Sequence, residues 1–136
     1  MVPGRVGPGS RAERGAYAWR SVLALEVPLA FGSDFPVESP DPRLGLHAAE
    51  ARRSPGAQEA WMPQEHLGRA EALRAFSWGG AYAASAETRR GILREGMDAD
   101  FTVFGADVLR IDVDDLPHAP VAATVVGGRV EYGSPR

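Results

Sequence analysis

The chain has 136 residues, of which 44% are apolar; its formal charge is -3 at neutral pH, and it contains no cysteine. That length suits one globular domain with a core of its own and excludes a complete (β/α)8 barrel, which takes about 250 residues. The mild negative charge argues against nucleic acid or an anionic membrane as partner, and without thiols there are no disulfides and no thiolate zinc sites.

In chain order, Met1 to Gly9 is rich in Gly and Pro and is expected to be irregular. Ser10 and Glu13 match a capping box, in which the two side chains satisfy each other's backbone donors. Ala12, Ala16, Trp19 and Leu23 come next at helical spacing, which predicts a helix over roughly 11–24. Val27-Pro-Leu-Ala-Phe31 reads as a short buried strand over 27–32, ending in Gly32-Ser33-Asp34. A loop rich in Pro and Asp then runs to Asp41. Asp41 and Pro42 predict an N-cap and first helical residue, opening a helix that carries His47 and ends near Arg53. A further helix is expected to start about Gly68, with Glu71 favouring its positive end. Gly79-Gly80 should bend or interrupt it before Ala81 to Ala86. Beyond Gly91 four short strands are expected, at Ile92-Leu93, Phe101–Phe104, Val121–Val126 and Arg129–Tyr132. Gly127-Gly128 forms a two-residue hairpin turn between the last two. A single strand among helices cannot satisfy its own edges, so the first part reads as a piece of a larger sheet.

The chemistry-bearing residues are few. Asp34 is a lone acid where a buried strand ends, the place where parallel α/β folds build their sites; an ordinary turn or cap acid is the competing reading. Gly32 permits close backbone approach, and Pro36 stiffens the loop behind the carboxylate. His47, His66 and His118 show no metal-ligand spacing: His47 reads as a helix-face or core histidine, the other two as solvated. Arg52-Arg53 could hold a carboxylate, but positive charge in the last turn of a helix is favoured anyway. Trp61, Trp78 and Tyr82 read as packing residues. All fifteen basic residues are arginine, so no Schiff-base, phosphate-loop or carbamylated metal-bridging lysine comes from this chain. No apolar stretch approaches the roughly 20 residues that span a bilayer, and a cytoplasmic location is the default expectation.

Across most of its length the sequence resembles the metal-dependent amidohydrolases. The resemblance rests on Arg14-Gly-Ala-Tyr-Ala-Trp-Arg20, Leu29-Ala-Phe-Gly-Ser-Asp-Phe-Pro-Val37, Glu71-Ala-Leu-Arg-Ala-Phe76 and Ala81-Tyr-Ala-Ala84. Gly91-Ile-Leu-Arg-Glu-Gly96, Ala99-Asp-Phe-Thr-Val103 and Ala123-Thr-Val-Val-Gly-Gly-Arg-Val130 continue it in order. The branch it is most similar to is related to D-aminoacylases and N-substituted formamide deformylases. The resemblance implies an α/β fold: the last strand and helices of a (β/α)8 TIM barrel over residues 1–90, then closing strands of a small β-sandwich over 91–136. It implies a hydrolase of carbon–nitrogen bonds in non-peptide amides, with a divalent metal, zinc by expectation. Asp34 would be metal ligand and proton carrier, with Ser33, Phe35 and Pro36 shaping the substrate loop and Asp100 structural. Glu26 stands where relatives often have glycine. The family's His-x-His and mid-barrel ligands have no counterpart here, and one oxygen cannot hold a catalytic zinc. The expectation is therefore a C-terminal part, inactive alone and lacking an N-terminal portion, with a small amide as the whole enzyme's substrate. The alternative is a non-enzymatic relic or module that self-associates or joins a partner chain.

Overall fold

The computed structural model describes residues 15–134. Ser10 and Glu13 of the expected capping box, Ala12 and the stretch up to Gly9 lie outside those residues. The described part of the first expected helix is shorter than 11–24: α1 is Trp19–Leu23. Tyr17, just ahead of it, sits at φ 51°, a left-handed conformation that breaks a right-handed helix. The expected strand over 27–32 does not form. Residues 27–31 run without helix or strand, because the described residues offer them no partner strand. Glu26, which leads into them, lies at φ 59°, a conformation glycine adopts without strain.

Asp41 caps α2 (Pro42–Ala51) as its sequence predicts: its Oδ1 accepts the Arg43 N–H at 3.0 Å, and Pro42 opens the helix. The helix stops because Arg52 turns left-handed at φ 55°. A 3₁₀ turn, Pro63–Glu65, leads to α3 (Arg69–Arg74), where the Glu71 carboxylate reaches back to accept the Gly68 N–H at 2.7 Å. The bend or interruption expected at Gly79-Gly80 takes the form of a change in helix type just ahead of Gly80. Ala75–Gly79 forms a π-helical turn that passes directly into α4 (Gly80–Ala83), Gly80 keeping helical angles. The helix ends before Ala86 because Ser85 turns to φ 53°.

Three antiparallel strands, β1 (Phe101–Phe104), β2 (Val121–Val126) and β3 (Arg129–Gly133), make one sheet in that order. Phe101 faces Val125, and Val126 faces Arg129 across the hairpin. Gly127 and Gly128 both take positive φ, 55° and 79°, as a primed two-residue turn requires. Asp100 is structural as expected: its Oδ1 accepts the Gly127 N–H at 2.7 Å and pins that turn. Ile92 lies in a bend and Leu93 in irregular chain rather than a strand, since none of the described strands lies beside them to complete a ladder.

The core gathers on α2. Leu46, Ala49, Ala72 and Leu116 are fully buried, with Trp19, Phe31, Leu73 and Phe76 packed around them. Arg43 donates to the Ala119 carbonyl at 2.7 Å, which ties the segment before β2 to α2, and Arg69 pairs with Glu50 at 2.5 Å, which ties α3 to α2. Among the described residues no helix is long and apolar enough to cross a membrane.

Candidate active site

The segment leading to Asp34 is held from one side. The Phe31 N–H donates to the Ala75 carbonyl at 3.1 Å, the one backbone hydrogen bond that residues 27–31 make with the other described residues. Phe31 packs between the rings of Trp19 and Phe76, with centroids 4.9 and 5.4 Å away. Two residues earlier the Leu29 carbonyl presses onto Gly79, where an added Cβ would lie 2.0 Å from its oxygen. Only glycine lets the chain pass so close to the helix.

Beyond Phe31 the chain leaves the core. Ser33 is half-buried, and Asp34, Phe35, Pro36 and Val37 are exposed. The Asp34 carbonyl accepts the Val37 N–H at 2.9 Å, closing a tight turn, and Asp34 itself takes φ 52°. Aspartate is one of the few residue types that adopts this conformation at modest cost. Among the described residues its carboxylate makes no hydrogen bond or ion pair, so its oxygens are available to a ligand or a proton.

The structure does not bring the histidines to it. His47 is fully buried on α2, with Nε2 3.3 Å from Asp114 Oδ1, which makes it a core histidine as its sequence position suggests. His66 and His118 are exposed, and His66 Nδ1 lies 2.9 Å from the Pro63 carbonyl oxygen. Among the described residues no group of three His, Asp or Glu is placed to hold a metal. Asp34 therefore stands alone among the described residues, with no second metal-ligating side chain placed beside it.

The arginine pair serves the fold. Arg53 pairs with Asp114 at 2.7 Å, which holds the Asp114 carboxyl below the usual range, with His47 adding to the effect. Arg52 is 6% exposed, and its guanidinium lies 4.4 Å from the Trp19 ring centroid and 5.1 Å from that of Trp61. Burial pushes its pKa down. Trp61, Trp78 and Tyr82 pack against other side chains as expected: Trp61 meets Tyr17 edge-on, and Trp78 stacks on Tyr82 at 5.0 Å. Two pairs that hold α1 carry no signal in the sequence, because their partners are some forty to fifty residues apart. Arg20 forms a bidentate pair with Glu71, and Ser21 donates to Glu65 through its N–H at 2.9 Å and its hydroxyl at 2.6 Å.

An open groove lies between Leu23–Leu29 and the helical face carrying Arg74, Trp78 and Tyr82. Its lining reaches Leu29 in this segment and does not include Asp34. It is thus separate from the acid.

Residues 1–132 match the sequence profile of the Amidohydrolase family. The chain belongs to the amidohydrolase family. It is 35% identical over 119 residues to YtcJ of Bacillus subtilis (strain 168), an amidohydrolase by name, the match covering 86% of this chain and 22% of that protein. It is 34% identical over 122 residues to Protein LONG AFTER FAR-RED 3 of Arabidopsis thaliana, covering 90% of this chain and 21% of that one. This amidohydrolase sequence thus spans about a fifth of the length of these relatives. No solved structure matches the chain.

Proposed function

We propose that this chain is the C-terminal part of a metal-dependent hydrolase of carbon–nitrogen bonds in non-peptide amides, in the branch related to D-aminoacylases and N-substituted formamide deformylases. The observation that carries the reading is Asp34: a free carboxylate on a tight turn, directly after a segment anchored to the core, in a chain of amidohydrolase sequence. In this reading residues 27–31 are the last strand of a (β/α)8 barrel, residues 1–90 belong to the barrel, and 91–136 close a small β-sandwich. Asp34 contributes one ligand to a divalent metal, zinc by proposal, whose other ligands come from outside this chain. Its carboxylate takes a proton from the water that attacks the amide carbonyl and delivers it to the departing amine nitrogen. Ser33, Phe35 and Pro36 line the loop that meets the substrate. The absence of cysteine supports a cytoplasmic location.

The test has two arms. The purified 136-residue chain is expected to show no significant amide hydrolysis with or without zinc; zinc-dependent turnover by it, abolished in Asp34→Asn, overturns the claim that it needs completion. In a chimera that carries this sequence in place of the matched stretch of YtcJ, Asp34→Asn is expected to lower zinc-dependent turnover of N-acyl and N-formyl amides by at least about 100-fold, the size of a lost proton-transfer group. Equal rates in the two chimeras would remove Asp34 from the chemistry. The rival reading, a non-enzymatic module that associates with a partner, draws on the exposed Val27 and Tyr82 and predicts an inactive chimera with or without the substitution.

A further inference from the structure

The helical stretch from α3 to α4 meets the segment before Asp34 at two points. The Ala75 carbonyl accepts the Phe31 N–H at 3.1 Å, and Gly79 takes the Leu29 carbonyl. Only Gly32 and Ser33 separate Phe31 from the acid. Asp34 is exposed and its carboxylate has no partner among the described residues, so the acid takes its position from this attachment. The two points are the two ends of the π-helical turn Ala75–Gly79. In an α-helix the Ala75 carbonyl would accept the Gly79 N–H. A π turn passes that N–H one residue further back and leaves the Ala75 carbonyl to meet Phe31. Ser77 stands in the middle of the turn with its side chain exposed. Its hydroxyl donates to the Leu73 carbonyl at 2.7 Å, the oxygen that its own backbone N–H would take in an α-helix. A hydroxyl bonded back in this way competes with the helical ladder and bends it. The neighbouring rings face other partners, Phe76 against Phe31 and Trp78 stacked on Tyr82. Ser77 is thus the member of the turn whose polar group is directed to the helix's own backbone.

We propose that Ser77 is a positioning residue for Asp34. Its hydroxyl holds the π turn, the π turn presents the Ala75 carbonyl to Phe31, and Phe31 sets where the acid's own turn begins. The proposal rests on the reading of Asp34 as the proton carrier. Single π turns inside α-helices occur frequently at functional sites, and a misplacement of about 1 Å at a reacting group can cost a large factor in rate. Helix stability does not account for the serine, since alanine is the better helix former at an exposed position.

The experiment compares Ser77→Ala with Ser77→Thr, which keeps the hydroxyl, in the 136-residue chain and in the YtcJ chimera. In the chain, amide exchange at Phe31 is expected to quicken at least about fivefold in Ser77→Ala and to stay within about twofold of the parent in Ser77→Thr. The Leu67 N–H, bonded to the Ala49 carbonyl at 3.0 Å, is the control and should not change in either variant. The melting temperature of Ser77→Ala should hold or rise, which separates a misplaced segment from a loosened core. In the chimera, Ser77→Ala should lower kcat at least about fivefold with KM within about twofold of the parent, and Ser77→Thr should retain the parent's kcat. Unchanged exchange at Phe31 in Ser77→Ala, a parallel change at Leu67, or equal losses in the two variants overturns the proposal. So does an unchanged kcat in Ser77→Ala when Asp34→Asn disables the same chimera. If Asp34→Asn leaves turnover undiminished, or if the chimera is inactive, the catalytic reading falls, and exchange at Phe31 then decides by itself whether Ser77 places the segment.

Discussion

At the scale of single residues, two glycines remote from Asp34 in sequence do more for the candidate site than its immediate neighbours do. Gly79 admits the Leu29 carbonyl, and Gly45 admits the Phe76 ring, which an added Cβ would meet at 2.3 Å. Both contacts seat the segment that ends in the acid. Gly79→Ala is therefore expected to destabilise the chain by about 1–3 kcal/mol, the usual cost of overpacking, in urea unfolding followed by circular dichroism. The adjacent glycine supplies the control. Gly80 has helical angles and open space at its Cβ position, so Gly80→Ala should be neutral or stabilise by up to about 1 kcal/mol. Equal losses in the two variants would show that the Leu29 contact is not the cause. The sequence marks both positions only as glycine; which one meets the segment depends on where the helix lies.

Among the elements, α2 is the one most fully written in its own sequence, and it is also the hub of the core. Its cap, its first-turn proline and its length follow from local residues, because a helix satisfies its hydrogen bonds within itself. Asp41 also pairs with Arg43 at 2.6 Å, and that pairing holds its carboxyl below the usual range. Asp41→Ala should cost about 1 kcal/mol in thermal or chemical unfolding. Asp41→Asn, which keeps an oxygen for the Arg43 N–H, should cost distinctly less, and equal losses would assign the effect to the charge pair instead of the cap. The hairpin of β2 and β3 is legible for the same local reason, its turn being set by Gly127-Gly128. The strand expected over 27–32 is not. A strand's bonds go to a neighbour, and its apolar sequence reports burial without saying which element provides it.

For the molecule as a whole, carboxylates are paired with basic or hydroxyl donors both within a local turn and between distant stretches. Arg43 holds Asp41 low, Ser21 holds Glu65, Arg20 holds Glu71, Arg90 holds Asp98 and Arg53 holds Asp114. Each folded pKa lies below its unfolded value of about 4. The stability from these groups is therefore fully present above about pH 4.5 and is lost as pH falls through the folded values. Several of the pairs are well exposed, Asp114 at 55%, so solvent screening reduces each contribution. The melting temperature should stay level from neutrality to about pH 5 and fall below about pH 4, a dependence that scanning calorimetry from about pH 7 to about pH 3 would measure. A melting temperature unchanged to about pH 3 would mean that these pairs contribute nothing net to folding.

By itself the sequence determined the local elements and the family. Helix caps, the hairpin turn and the ordered run of motifs around Asp34 are properties of neighbours along the chain, and similarity of sequence needs no coordinates. The tertiary structure decided what depends on partners far apart. It places Arg52 against the rings of Trp19 and Trp61, buries His47 against Asp114, and seats Leu29 on Gly79. It also leaves residues 27–31 with a helix on one side and an open groove on the other. Pairing of residues 27–31 with a strand, or of Asp34 with other polar groups, requires separate stretches to meet in space, and the described residues bring neither partner.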